Sequence, residues 1–279
     1  MMNQYYVPYL TANKKSKNTI KVYVDHINKF LNFVNKEDTE ITYADIFTYQ
    51  ASISDKSANT VRQCIAAIKS YFKFLKKVKI IDEDPSIEIE RPKANPKPKH
   101  YMTEEDIEGM IANARTDRDK AIVKFMVSTG VRISEMINIT LDEYHEAINN
   151  GSHEITITGK GNKDRVIYLN DSTIEAIDIY LGTRCDDCPY LFASFRRNQI
   201  NPESLSNTLK NMAKKAGIPF WKDISNHAMR AAFATIANEK GVDVPTISAA
   251  MGHSNVAITS LYIKNKQSNI NHAMSAMSF

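Results

Sequence analysis

Between Asn226 and Tyr262 an arginine, two histidines and a tyrosine stand at spacings that could do chemistry. On a helix turning 100° per residue, His227 and Arg230 fall within about 60° of each other, while Met229, Ala232, Phe233 and Ile236 cluster on the other side. Ala231 and Ala234 leave the face around the two polar groups bare, so a ligand could approach the backbone closely. Val244 to Met251 reads as a second short helix stopped by Gly252, which delivers His253 into a turn, and a third short helix from about Asn255 carries Tyr262. The set suits phosphoryl transfer to a tyrosine: a guanidinium holds the phosphate, imidazoles shuttle protons and a phenol attacks. The same residue types on amphipathic helices also serve as ordinary surface or half-buried groups, so this stretch alone leaves both readings open.

The elements that must position these residues are helical for the most part. Thr103-Glu104-Glu105-Asp106 is a capping signature for a helix over about 104–114, and another runs from Asp117 or Asp119 to Ser128. Gly130 then breaks the chain, so that Arg132 enters the next helix, where Ile133, Met136 and Ile137 face inward. A helix entry is a natural anion site, because unpaired N–H groups point outward there and arginine adds a bidentate fork. The competing fate of Arg132 is a salt bridge to Glu135 or a neighbour. Glu154 to Thr158 and Arg165 to Leu169 alternate as the strands of a hairpin, whose Gly159-to-Asp164 turn projects Lys160 on a flexible tip. Helices over about 172–181 and 202–215 complete this half. The fold class is mainly α with a small antiparallel β-sheet (α+β).

The amino-terminal part reads as a separate helical domain, residues 1–90. Met1 to Asn13 shows no clear period and is expected to fray. Ile20, Tyr23, Val24, Ile27, Phe30, Leu31 and Val34 mark an amphipathic helix, Thr42 caps a second to about Ser52, and Ser57 caps a third. In that third helix Val61, Ile65, Ile68, Phe72 and Leu75 form the buried stripe, and Arg62, Lys69, Lys73 and Lys76 lie largely outside it, as candidates for contact with DNA. A short fourth element is expected near Pro85 to Ile89. Residues 91–100 hold Pro92, Pro96 and Pro98 among basic residues, which reads as an extended interdomain linker ahead of a catalytic domain over 101–279.

The 279 residues, 43% hydrophobic and 24% charged, describe one or two soluble domains with ample core. No apolar run reaches the roughly 18 residues of a membrane span, so no membrane partner is expected. The net charge of +4 is uneven, with 17 Lys and Arg against 11 Asp and Glu in residues 1–100. That basic bias fits a nucleic-acid clamp or simply a solvated surface. Cys64, Cys185 and Cys188 make no disulfide framework, which points to a reducing cytoplasm. Cys185-Asp186-Asp187-Cys188 has the spacing of half a zinc site, but no second pair completes it, so no metal is expected.

Thr129-Gly130-Val131-Arg132-Ile133-Ser134-Glu135-Met136, Gly159-Lys160-Gly161-Asn162-Lys163-Asp164-Arg165, His227-Ala228-Met229-Arg230, Gly252-His253-Ser254 and Tyr262 resemble, in order and spacing, the active-site boxes of the tyrosine recombinases, also called the phage integrase or Xer-type family. The resemblance covers Pro98 to Tyr262 in detail and implies a helical DNA-clamp domain followed by a catalytic domain. With a first helix by about residue 18, no room is left for an additional arm-binding domain, which favours an Xer-like layout. The resemblance implies that Tyr262 attacks a phosphodiester to give a 3′-phosphotyrosyl link, with Arg132, Arg230 and His253 on the non-bridging oxygens. It makes His227 the general base or proton shuttle and Lys160 the general acid. It further implies double-stranded DNA with paired inverted half-sites as partner, a homo-oligomer on DNA that is a tetramer in synapsis, and no cofactor. Many relatives have a histidine where this chain has Ala231. The alternative is a type IB topoisomerase, which shares the chemistry but works as a monomer. In the tail, Ile270, Met274 and Met277 have helical spacing. In relatives such a tail docks on a neighbouring protomer, although it also fits a frayed terminus or a helix packed on its own domain.

Overall fold

The structure is a computed structural model that describes residues 2–93, 100–159, 164–253 and 255–260. It divides into two compact units, residues 1–98 and 99–279. The tip residues Lys160 to Lys163, the prolines Pro96 and Pro98, Tyr262 and the tail lie outside the described residues.

Among the described residues the first unit holds four helices: α1 Tyr6–Ala12, α2 Lys17–Val34, α3 Tyr43–Ser52 and α4 Ala58–Lys77. Each of the last three starts where a hydroxyl replaces a missing helical partner. Ser16 and Ser57 accept from the amides of Thr19 and Thr60, and Thr42 forms a reciprocal capping box with Asp45. The core is the apolar stripe of α4 against Ile27, Phe30 and Ile46. The expectation of a frayed start is overturned, because Tyr6 and Leu10 are fully buried. The Tyr6 ring sits edge-on to Tyr71 at 5.0 Å, and the Tyr71 hydroxyl donates to Asp38 while accepting from the amide of Asn3. The element expected near Pro85 to Ile89 is a run of turns instead. There Asp84 accepts from the Ser86 amide and hydroxyl, which offers the backbone an alternative to a helix.

The second unit is built around α6 Asp117–Thr129, whose Ala121, Ile122, Val123, Phe125 and Met126 are all fully buried. Around it pack α5 Glu104–Ala112, α9 Asp171–Gly182 and α11 Asn226–Glu239. The chain also forms α7 Ile133–Met136, α8 Leu141–Asn149, α10 Pro202–Lys215, a 3₁₀ turn Trp221–Asp223, α12 Val244–Met251 and α13 Val256–Ser260. Strands β1 Glu154–Thr158 and β2 Asp164–Tyr168 pair antiparallel, with Ile155 opposite Ile167 on the buried face. Helix α8 is an addition to the sequence reading, opened by a Thr140–Glu143 capping box and anchored by buried Tyr144 and Ala147. No helix among the described residues is long and apolar enough to cross a membrane.

Candidate active site

The site begins where α6 ends. Gly130 closes α6 in the left-handed region (φ 60°), and a Cβ there would lie 2.5 Å from the ring of Phe233 on α11. Glycine therefore meets both a backbone and a packing demand. The turn leads into α7 with Arg132 as the residue before its first turn. Glu135 caps that turn by accepting from the Arg132 amide at 2.8 Å and pairs with the Arg132 guanidinium at 2.8 Å. The salt bridge weighed as a rival to anion binding is thus present. It holds one edge of the guanidinium, whose Nη2 also donates to the Gly252 carbonyl at 3.3 Å.

Arg230 departs from the expected open polar face. It is 2% exposed, with Nη1 donating to the Gly130 carbonyl and Nη2 to the Met251 carbonyl. A buried guanidinium needs such acceptors, since an unmet charge in the interior costs several kcal/mol. The bare face expected around Ala231 and Ala234 is also covered. Ala234 is fully buried against Ile247 and Met251 of α12, and Ala231 packs on the same cluster. What lies open beside the arginines is the turn after α12, where Gly252 (φ 63°) is exposed and His253 half-buried.

His253 receives its ring geometry from α13, since Nδ1 shares a hydrogen bond with the Thr259 hydroxyl at 2.8 Å. When that hydroxyl donates, the proton of the neutral ring sits on Nε2. Burial, then the charges of Arg230, Arg132, His227 and Arg165, hold the imidazole down at about 4. Burial pushes Glu135 up, but hydrogen bonds from Arg165 and Arg132 outweigh it and hold the carboxyl at about 2. The cluster is therefore a carboxylate serving two guanidiniums, a third guanidinium on backbone carbonyls, and a neutral imidazole.

Of the residues singled out from sequence, Arg132, Arg230 and His253 meet here, and His227 stands exposed on the first turn of α11, close enough to act on His253. Lys160 and Tyr262 fall outside the described residues. In the first unit, Arg62 donates to the Pro92 carbonyl at 3.2 Å and Lys69 to the Ile87 carbonyl at 2.8 Å, whereas Lys73 and Lys76 are exposed. Cys185 is exposed, Cys188 is buried, and Asp186 between them pairs with Arg184 at 2.7 Å. Sequence reading did not single out Arg165, which pairs with Glu135 at 2.7 Å. Its only signal was its place at the end of the lysine-bearing box.

Comparison with known proteins decides the family. The phage integrase family profile matches residues 100–269, and that of the phage integrase N-terminal SAM-like domain matches residues 4–82. The chain belongs to the phage integrase family. Among curated relatives, tyrosine recombinase XerA of Pyrococcus horikoshii is 34% identical over 268 residues, covering 93% of this chain and 87% of that protein. Tyrosine recombinase XerC of Caldanaerobacter subterraneus subsp. tengcongensis is 30% identical over 298 residues, covering 95% and 82%. The crystal structure of XerA recombinase aligns with a TM-score of 0.55 at 29% identity, over 97% of this chain and 95% of that one. A lambda integrase dimer bound to a COC′ core site shares the fold with a TM-score of 0.77 at 15% identity, over 91% and 94%. This phage integrase family member is a site-specific tyrosine recombinase, a DNA-cleaving and rejoining enzyme, and the topoisomerase alternative is not favoured.

Proposed function

We propose that the chain breaks and rejoins DNA at paired inverted half-sites through a covalent bond to Tyr262, and that it works as a tetramer when two sites are brought together. The observation that carries this reading is the meeting of Arg132, Arg230 and His253 around the Gly252 turn. A phosphodiester gains negative charge on its non-bridging oxygens as it is attacked, and donors fixed beforehand stabilise that charge without reorganising. Arg132 has five N–H groups, and the bonds to Glu135 and Gly252 fix its plane while leaving others for the phosphate.

The Tyr262 oxygen attacks phosphorus, the bond to the 5′ oxygen breaks, and the phosphoryl group passes to the tyrosine. His227 takes or relays the phenolic proton, and Lys160 donates a proton to the departing 5′ oxygen. Attack by a 5′-hydroxyl from the partner strand reverses the step, with the phenol as leaving group. The phosphotyrosyl bond conserves the phosphodiester, so neither ATP nor another cofactor is required. The first unit supplies contacts to the duplex, with Lys73 and Lys76 presenting charge to phosphates and Arg62 and Lys69 joining them on leaving their carbonyls. The domain roles follow: a DNA-binding domain in residues 1–90, a linker over 91–100 and a catalytic domain from 101. Cysteine usage without a disulfide framework supports a cytoplasmic setting.

The test is a nicked suicide duplex, which traps the covalent step. Wild-type protein gives a protein–DNA band that survives denaturation, and Tyr262→Phe binds the duplex but gives none. A band of undiminished intensity from the phenylalanine variant would remove Tyr262 from the role.

A further inference from the structure

One side chain joins the separate pieces of the site without belonging to the phosphate chemistry above. Arg165 is the second residue of β2, directly after Asp164, whose carboxylate closes the hairpin base by accepting from the Thr158 hydroxyl at 2.7 Å. From there Nη1 and Nη2 donate to the two oxygens of Glu135 at 3.0 and 2.7 Å, and Nε donates to the Ala250 carbonyl at 3.1 Å. Three of its five N–H groups are thus committed to protein acceptors on two other elements. Glu135 holds Arg132 through the same oxygens. Ala250 is in the last turn of α12, two residues before the glycine that leads to His253. A Cβ on Gly252 would stand 3.0 Å from the Arg165 Cδ, so the bare glycine gives this side chain its room.

We propose that Arg165 is a positioning residue, which acts through Glu135 on the Arg132 guanidinium and through the Ala250 carbonyl on the His253 turn, so that both face one phosphate. A carboxylate alone would leave Arg132 free to pivot about its oxygens. The bidentate fork of a second guanidinium fixes the plane of that carboxylate, and the third bond sets how far α12 stands from α7. Lysine cannot reproduce this, because a single ammonium has no planar fork. Donation into the end of α12 also satisfies a carbonyl with no helical partner and places positive charge at the negative end of the helix.

This rests on the reading of Arg132 as a phosphate ligand, and the experiment separates the two. Single-turnover cleavage is measured on suicide duplexes carrying either the normal scissile phosphate or a methylphosphonate, in which a methyl group replaces one non-bridging oxygen and removes its charge. The demand for a well-placed guanidinium then falls. The variants are Arg165→Met and Arg165→Lys, with Arg132→Ala as the control for the reading itself. A misplacement of about 1 Å can cost roughly 10² in rate, so both Arg165 variants are expected to be slower by about that factor on phosphate. On methylphosphonate they should close most of the gap, as Arg132→Ala does, with half-site binding unchanged. Arg165→Lys retains the charge, and its urea midpoint, followed by Trp221 fluorescence, shows that it is folded if Arg165→Met is not. Equal slowing on both substrates, or wild-type rates on phosphate, overturns the proposal while Arg132→Ala is still relieved. Failure of Arg132→Ala to be relieved removes the phosphate-ligand reading, and the positioning role with it.

Discussion

Replacing Glu135 by glutamine removes one charge from between two guanidiniums and keeps the shape. The wild-type side chain is 3% exposed, and its carboxyl is held at about 2 against an ordinary 4.5. A folded pKa below the unfolded one contributes stability that is fully present above the unfolded value and lost as pH falls through the folded one. The contribution is therefore about 3 kcal/mol at pH 7, falling to about 1.4 kcal/mol at pH 3. That lies at the low end of the roughly 3–5 kcal/mol for breaking a buried ion pair. Trp221 is the only tryptophan and lies in the second unit, so its fluorescence in urea follows that unit alone. With a slope of about 2 kcal/mol per molar, Glu135→Gln should lower the midpoint by about 1.5 M at pH 7. The difference between the two proteins should narrow steadily from pH 4.5 downward, because glutamine does not titrate. Parallel curves across that range would refute the claim that Arg165 and Arg132 hold the carboxylate ionised.

Lys160→Ala should slow cleavage of normal DNA by about 10² to 10⁴ and recover on a duplex whose bridging 5′ oxygen is sulfur, since a thiolate leaves unprotonated. Lys163→Ala should show no such selective rescue, and the reverse pattern would move the acid to Lys163. Deleting residues 267–279 should weaken cooperative occupation of paired half-sites more than binding to one half-site in a gel-shift titration, whereas equal losses would mark ordinary packing of the tail. His253, held down at about 4 among cations, is neutral at pH 6 in the unliganded protein, and a phosphate placed between it and the arginines raises its affinity for a proton. Binding of a half-site at pH 6 should then take up protons from a weak buffer, and His253→Gln should abolish the uptake. Equal uptake by both proteins would place the titrating group elsewhere.

Local signals were readable at several places where one hydroxyl or one apolar stripe decides the outcome. Thr42, Ser57 and Thr103 each cap the helix their position predicts, and the buried stripe of α4 is the one its spacing gives. Helices α1 and α8 escaped for different reasons: the seven residues of α1 have no side-chain cap to announce them, whereas the Thr140–Glu143 capping box of α8 was a readable local signal that the reading passed over. Both are held by partners distant in sequence: Tyr6 by Tyr71 and Phe74, and Tyr144 by Asp178 at 2.7 Å. The same limit explains the error around Ala231 and Ala234. A helical wheel gives the sides of α11, but only tertiary packing tells that α12 lies on the alanines and that Arg230 is enclosed. Arg132 was legible as a residue at a helix entry with Glu135 as a possible partner, while the hold of Arg165 on Glu135 spans 30 residues of chain and needed the fold.

Arg230 takes hold of main-chain carbonyls, those of Gly130 and Met251. Any amino acid offers a carbonyl, so the acceptors themselves place no demand on residue type. The demand falls on backbone shape, and the glycines at 130 and 252 supply it with left-handed turns beside those carbonyls. Heritable information for this part of the site is thereby concentrated in a few letters of the chain. A glycine replaced at either turn moves the Arg230 guanidinium at once.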